Sequence, residues 1–380
     1  MRGFKSEVSR PESSGSAARA FRRRLPPSAF RLLLSAFCLL PSHAAAASWS
    51  KQKSGTFAWL HAVYFLNERY GWAGGGKGAL LSTEDGGATW RRRSIYSEDT
   101  LRDIFFVDGR HGWVVCERDV YRLKSEAQPP TYLMRTTDGG RTWSRVEPDA
   151  FGAETRLVGV RFAGRERGWV FGELGALYAT ADGGRTWVRQ VVPTRRLLLG
   201  AAFLDAQHGW VVGAGATLLR TTDGGRTWHE GRVAGQLAQY ARRSRANRLG
   251  RGDGTARRPA AAAGQAPRVN AVAFADGLRG WAVGAGGLVL ATSDGGRTWQ
   301  PQESGVETDL HDVKFLDGRE GWAVGGEGII LHTADGGATW SADTSVTPHT
   351  LERLFFAGRA RGWAVGFGGT IVAFGERAVN

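Results

Sequence analysis

The most constraining feature of this sequence is a pair of motifs that recur together along almost its whole length. The dipeptide Gly-Trp occurs seven times, and four of the six intervals between successive copies are 41 residues. A second motif, Thr-x-Asp-Gly-Gly-x-Thr-Trp, occurs six times, and in five of these six repeats its aspartate follows the glycine of Gly-Trp by 14 residues. A repeat of this length is typical of a β-propeller blade. The aspartates are Asp85, Asp138, Asp182, Asp223, Asp294 and Asp335.

Each of the first six repeats contains four segments with the character of short strands. In the sixth repeat, apolar and polar residues alternate over Leu310–Phe315, and the segments Trp322–Val324, Ile329–His332 and one beginning at Trp340 follow. Alternation over four to six residues between glycine-rich turns is the pattern of a half-buried strand. Seven repeats built from such strands predict an all-β fold, a seven-bladed β-propeller over residues 48–380.

The spacing of the tryptophans also predicts how the ring closes. Trp49 precedes Trp90 by one 41-residue period, whereas one period after Trp340 falls just beyond the last residue. The last blade therefore lacks an outer strand of its own. We predict that this blade is closed by the N-terminal strand of the propeller, which removes the sheet edges that would otherwise stay open.

The repeated aspartates have a structural explanation. We expect each carboxylate to accept hydrogen bonds from backbone N–H groups one and two residues on, while the two glycines supply positive φ. The tryptophan that follows is expected to pack between neighbouring blades. All six aspartates are therefore assigned to turns between the third and fourth strands rather than to catalysis.

Residues 1–47 are predicted to be a signal peptide. Arg22–Arg24 precede the apolar run Leu32–Leu40, and the small residues Ala44–Ala47 follow it. The run is shorter than the about 20 apolar residues that a membrane-spanning helix needs. We therefore expect an exported, periplasmic protein that keeps a single cysteine after cleavage.

Two insertions interrupt the repeat, and both are predicted to emerge on one face of the disc. The first, of 12 residues, lies within Cys116–Arg135, between the second and third strands of its blade. The second, of 30 residues, lies within residues 229–268 and joins two blades. This stretch has a net charge of +7, half of the chain's +14. We interpret it as a mobile basic arm for an acidic protein or another anionic surface, or else as a solvated linker without function.

The inner strands begin around the axis on this same face, and their first residues differ from blade to blade. These residues make a mixed but mainly basic rim, which can hold a carboxylate at the end of a protein chain through arginine contacts. Ordinary surface polarity is the alternative interpretation. The candidate partner-binding residues are Trp59, Arg102, Arg156, Arg195, Arg196, Arg268 and His311.

Other chemistries have no motif in the sequence. It contains no histidine or cysteine cluster with metal-ligand spacing, no phosphate-binding loop and no nucleophile elbow. Tyr240 is the only aromatic residue in the basic stretch, which argues against nucleic-acid binding. We expect no metal and no cofactor, and a monomer whose partner is a protein.

The repeated segments resemble the Asp boxes of bacterial neuraminidase repeats. The longer pattern that runs from Gly-Trp-Ala-Val-Gly to the Asp motif, as in Gly280–Trp299 and Gly321–Trp340, resembles the photosystem II stability/assembly factor family. The resemblance covers residues 48–380. It implies a non-enzymatic periplasmic or thylakoid-lumen factor that binds a newly made, membrane-associated protein, partly through a basic patch.

A glycoside hydrolase of the Asp-box type is the main alternative. Asp309 and Glu352 at the rim would be its candidate pair of carboxylates. A propeller that binds carbohydrate without hydrolysing it is a further alternative.

Overall fold

The computed structural model describes residues 47–119, 128–146, 151, 155–240, 242–243 and 266–375. All of them belong to one compact unit, Ala44–Asn380. They form seven separate sheets, and the first strand of each blade contacts the first strands of both neighbouring blades in a series that closes on itself. The predicted seven-bladed β-propeller is confirmed.

Strands run in sequence order from the axis outward, and successive strands of a blade pair antiparallel. Blade 1 comprises β2 (Leu60–Phe65), β3 (Gly71–Gly75), β4 (Leu80–Thr83) and β5 (Arg91–Arg93), and blade 2 comprises β6 (Thr100–Phe106), β7 (Gly112–Glu117), β8 (Thr131–Thr136) and β9 (Ser144–Val146). Blade 3 comprises β10 (Leu157–Ala163), β11 (Arg167–Gly172), β12 (Leu177–Thr180) and β13 (Val188–Arg189). Blade 4 comprises β14 (Leu198–Phe203), β15 (Gly209–Gly213), β16 (Thr217–Thr221) and β17 (His229–Glu230).

The remaining three blades contain two strands from outside their own repeats. Blade 5 comprises β19 (Val269–Phe274), β20 (Gly280–Gly284), β21 (Val289–Thr292) and β22 (Thr298–Gln302), with β18 (Arg232–Val233) added outside; blade 6 comprises β23 (Leu310–Phe315), β24 (Gly321–Gly325), β25 (Ile330–Thr333) and β26 (Ser341–Ala342); blade 7 comprises β27 (Leu351–Phe356), β28 (Gly362–Gly366), β29 (Ile371–Gly375) and β1 (Ser48–Gln52). Short 3-10 turns follow the second strands of blades 3 to 7, at Glu173–Gly175, Ala214–Ala216, Ala285–Gly287, Gly326–Gly328 and Phe367–Gly369.

The predicted closure by the N-terminal strand is confirmed. β1 pairs antiparallel with β29 over five residues, from Ser48 opposite Gly375 to Gln52 opposite Ile371. Trp49 is buried, and its indole N–H donates to the carboxylate of Asp343 at 3.0 Å.

Two rings of tryptophan hold the blades together around seven phenylalanines. The phenylalanine at the end of each inner strand stacks on the Gly-Trp tryptophan of the preceding blade, with ring centroids 3.5–5.4 Å apart. The outer-strand tryptophan of its own blade meets the same ring edge-on, at 5.8–6.3 Å. Stacked and edge-to-face pairs are the favoured aromatic geometries. The predicted packing of tryptophan between blades is therefore observed at all seven junctions.

The glycine of Gly-Trp is required by this stack. A Cβ atom on any of the seven glycines would lie 2.2–2.6 Å from a ring carbon of the phenylalanine in its own blade. The phenylalanine ring therefore lies flat against bare backbone, and this contact explains why glycine precedes the tryptophan in every repeat.

The first part of the basic insertion is packed against blade 5, whereas we expected the whole insertion to be a mobile arm. Backbone hydrogen bonds join Arg232 to Arg297 and Ala234 to Trp299, so β18 runs parallel to the outer strand of blade 5. Tyr240 is buried in the hydrophobic cluster between blades 4 and 5. Residues 241 and 244–265, and residues 1–46 of the predicted signal peptide, lie outside the described residues.

Candidate functional site

A cavity of about 350 Å³ opens on the axis, at the end of the ring where the inner strands begin. We call it the axial mouth. Each inner strand has a β-bulge just after its first buried residue; in blade 1, Leu60 pairs with Gly75 and Ala62 with Gly74, so His61 has no partner. A bulge re-aims the extra side chain, and here all seven extra residues line the mouth. They are His61, Arg102, Val158, Leu199, Asn270, His311 and Glu352.

The mouth contains charges of both signs. Glu117 ends the second strand of blade 2 and lies between Arg102, with which it forms a close ion pair, and Arg156, at 3.4 Å. Arg156 also lies 4.0 Å from Glu173 in the first 3-10 turn. The two glutamates were not predicted as site residues, because Glu117 ends a second strand, Glu173 follows one, and only the folded ring brings them to the axis.

A second ion pair borders the mouth at blades 5 and 6. Arg268 lies 3.3 Å from the Oδ2 atom of Asp309, whose Oδ1 atom accepts the backbone N–H of Gly286 at 2.8 Å. Arg353, on the inner strand of blade 7, lines the same cavity and donates to the carbonyl of Glu352. The lining side chains therefore include four arginines against three glutamates.

The two histidines contribute no charge near neutral pH. Burial, followed by the nearby charge of Arg102, lowers the pKa of His61 from 6.5 to about 4. Burial also lowers the pKa of His311. The arginines and glutamates thus set the electrostatics of the mouth.

Of the predicted partner-binding residues, the structure brings Arg102, Arg156, Arg268 and His311 together as lining of the mouth. Trp59 adjoins them, because its ring lies 5.3 Å from that of His61. The predicted Arg195 and Arg196 do not line the cavity: both are exposed, and Arg196 donates to the carbonyl of Gly215 on the second-to-third-strand turn of blade 4.

The six aspartate turns lie at the opposite end of the ring, between third and fourth strands. Their hydrogen bonds differ from the expected pattern. Asp138 accepts from the N–H groups of Arg141 and Thr142, three and four residues on, and from the hydroxyl of Thr142 at 2.6 Å. The N–H of Gly140 bonds to the hydroxyl of Thr136 instead. The hydrogen bond from Thr142 is the main cause that lowers the pKa of Asp138 to about 2.

A larger, open groove of about 1,120 Å³ lies between blades 1 and 2 near the aspartate turns. Several of its polar groups already have partners: Arg93 bonds to Ser82 and pairs with Glu84, and the hydroxyl of Tyr64 donates to the carbonyl of Phe106. The axial mouth, to which every blade contributes a bulged side chain, is the better candidate site.

Within the described ranges, no group of three or more histidine, cysteine, aspartate or glutamate side chains is arranged to hold a metal ion. A helix long and apolar enough to span a membrane is not found in the described part of the chain.

The sequence of the chain matches one family of known proteins. The family profile described as photosynthesis system II assembly factor YCF48 matches residues 41–146, 95–192, 186–245, 263–346 and 305–374. No curated protein sequence matches the chain.

Three solved structures illustrate the fold similarity. YCF48 bound to D1 peptide is 21% identical, with a TM-score of 0.64 over 87% of this chain and 97% of that one. YCF48 from Cyanidioschyzon merolae is 22% identical, with a TM-score of 0.65 over 87% of this chain and 99% of that one. A GH74 xyloglucanase from Xanthomonas campestris is 14% identical, with a TM-score of 0.59 over 85% of this chain and 53% of that one.

Proposed function

Because the chain belongs to the photosynthesis system II assembly factor YCF48 family, we propose that it is an exported, non-enzymatic assembly factor that holds a segment of a membrane-associated client protein. The client segment binds at the axial mouth through a free carboxyl terminus. A YCF48 structure of the same fold is bound to a D1 peptide, which supports a peptide as the kind of ligand.

The observation that carries this proposal is the clustering of Arg102, Arg156, Arg268 and Arg353 around one cavity. A guanidinium group can donate two parallel hydrogen bonds to a carboxylate, and such charge-assisted pairs are about twice as strong as neutral ones. The cavity volume of about 350 Å³ lies near the lower end of the roughly 300–1,000 Å³ of ligand pockets. It therefore suits the end of a chain rather than a folded domain.

The basic insertion is proposed as a second, electrostatic contact with the client or with an anionic surface. At its described ends, Arg243 pairs with Glu307 at 3.2 Å, and Arg268 lines the mouth. A deletion that tests this contact has to spare residues 232–243, because β18, Leu237 and Tyr240 in this range pack on blade 5. Removing 244–265 takes out five arginines and one aspartate.

Co-purification from the exported fraction of the source cells tests the proposal. The native protein should retain a membrane protein, and Arg102→Gln combined with Arg156→Gln should reduce its recovery at least about tenfold. The matched control is Arg91→Gln with Arg92→Gln, two exposed arginines on the outer strand of blade 1. Retention of the client by the mouth variant, with an unchanged midpoint of thermal unfolding, would overturn the proposal.

Carbohydrate chemistry is the second candidate, because Glu352 lines the mouth and Asp309 borders it. Hydrolysis of a glycan panel that is lost on Asp309→Asn or Glu352→Gln would establish a glycosidase in place of the assembly factor. The hydrogen bonds that Asp309 accepts from Gly286 and Arg268 favour a positioning role for this carboxylate.

A further inference from the structure

Two aromatic residues interrupt the repeat where blade 7 meets blade 1. Trp59 immediately precedes the inner strand of blade 1, and Phe367 opens the turn after the second strand of blade 7. The residues that correspond to Trp59 in the other blades are Thr100, Arg156, Leu197, Arg268, Asp309 and Thr350; those that correspond to Phe367 in blades 1 and 3 to 6 are Gly76, Glu173, Ala214, Ala285 and Gly326. No other blade has an aromatic residue at either of these compared positions.

These two side chains contact each other although they lie far apart in the sequence. Their ring centroids are 5.3 Å apart in an edge-to-face arrangement, at 81°. We call the pair the aromatic shelf. Trp59 remains 41% exposed and Phe367 49% exposed, and Phe57, two residues before Trp59, is 95% exposed. The other tryptophans of the described residues are built into the blade packing, so the exposure of Trp59 is not explained by the fold.

The shelf is continuous with the axial mouth. The ring of Trp59 lies 5.3 Å from that of His61, which lines the mouth. On its other side Phe367 meets His349 edge-on at 5.7 Å, and the imidazole of His349 is held by the hydroxyl of Thr370 at 2.9 Å. An exposed apolar surface beside a polar cavity is typical of a binding site.

We propose that the aromatic shelf binds a bulky apolar or aromatic side chain of the client segment whose terminal carboxylate enters the axial mouth. The inference rests on the proposed function. The ring of Trp59 lies 5.3 Å from that of His61 at the mouth, and a residue of extended chain spans about 3.4 Å, so we place the apolar residue two to four positions before the end. The four arginines of the mouth favour a carboxylate-ended peptide over a neutral sugar as the occupant.

Fluorescence anisotropy with N-acetylated hexapeptides tests the proposal. Each peptide has a free carboxyl terminus and an alanine–serine background, and phenylalanine replaces alanine at one position at a time. With phenylalanine two to four positions from the end, we expect binding about tenfold tighter than that of the alanine parent. Trp59→Ala and Phe367→Ala should each abolish that advantage, so that the phenylalanine peptides bind no more tightly than the alanine parent.

Tyr70→Ala is the matched control, because Tyr70 is similarly exposed, at 43%, but lies on the first-to-second-strand turn at the opposite end of blade 1. It should bind all peptides as the native protein does. Equal affinity of the native protein for the phenylalanine and alanine peptides would overturn the shelf and leave the carboxylate site standing. Binding of no peptide would overturn both proposals, and binding of oligosaccharides that is lost in Trp59→Ala would assign the shelf to a sugar instead.

Discussion

Neutralising Glu117 is expected to strengthen the binding of a carboxylate at the axial mouth. This side chain is 11% exposed and occupies the space between Arg102 and Arg156, which are 42% and 35% exposed. An incoming carboxylate has to compete with it for the same two guanidinium groups. Glu117→Gln keeps the size and hydrogen-bonding capacity of the side chain and removes only its charge.

The gain follows from the change of one unit of charge close to the ligand. At a separation of about 7 Å and an effective dielectric constant of about 20–40, one charge changes the energy of a bound carboxylate by about 1–2 kcal/mol. The affinity should therefore rise about 5- to 30-fold. The fold should lose about 2 kcal/mol of stability, between the about 0–1 kcal/mol of an exposed ion pair and the about 3–5 kcal/mol of a buried one.

Isothermal titration with one peptide in two forms, a free carboxyl terminus and a terminal amide, measures this effect. Only the free acid should gain affinity, and the gain should shrink as salt is added. Glu84→Gln is the control, because Glu84 pairs with Arg93 at 3.2 Å beside the aspartate turns. An unchanged affinity, or an equal gain for the amide, would show that the two arginines do not bind the carboxylate.

Four further outcomes follow from the packing and the burial of single residues. Trp49→Ala should lower the midpoint of thermal unfolding by about 4–7 °C in calorimetry, because losing a buried tryptophan costs about 3–5 kcal/mol and a domain of this size unfolds with an entropy of about 0.7 kcal/mol per kelvin. Gly112→Ala, whose Cβ would lie 2.6 Å from a stacked ring, should cost about 1–3 kcal/mol in urea unfolding, whereas Gly277→Ala, with nothing within 4 Å, should be neutral. The pKa of His61 is lowered to about 4 in the native protein, so the unfolded chain takes up the proton first and the native protein should lose stability as pH falls from about 6.5 towards 4. His61→Gln should reduce the difference in the free energy of unfolding between pH 4.5 and pH 7, measured by urea unfolding. Tyr240→Ala should remove the hydrogen-exchange protection of the amides in β18 without altering exchange in blades 1 to 3.

The architecture of the ring was predictable because the repeat specifies its own packing. The glycine, the two tryptophans and the 41-residue period all reflect one repeated contact, in which a phenylalanine ring packs between two tryptophan rings. Trp49 follows the same period, so the strand that closes blade 7 can be identified from the sequence alone. A repeated motif can be interpreted in this way because each copy repeats the same local contacts.

The candidate site was predictable only in part, because it consists of departures from the repeat. The starts of the inner strands are visible in sequence, and Arg102, Arg156 and Arg268 were located from them. Their partners Glu117 and Glu173 occupy second strands or turns, and no periodicity connects them with those arginines. Phe367 was missed for the same reason: it meets Trp59 only because the ring brings blade 7 beside blade 1.

Two local features of the structure also differ from the predictions made from the sequence. We expected each aspartate carboxylate to accept the N–H groups one and two residues on. In the structure the threonine hydroxyl accepts the N–H two residues after the aspartate, and the carboxylate accepts the N–H four residues on. In the basic insertion, charge suggested a mobile arm. Val233, Leu237 and Tyr240 are the apolar residues that anchor its start to blade 5, and their spacing was the available signal.

The strand that closes the ring also sets a waiting time in biosynthesis. Ser50 and its partner Ala373 are separated by 323 positions. A ribosome that adds about 5–20 residues per second leaves β1 without its partner for roughly 15–65 s, long after the local hairpins of blade 1 have had the microseconds that they need. The first strand of the propeller to be made is therefore among the last to pair.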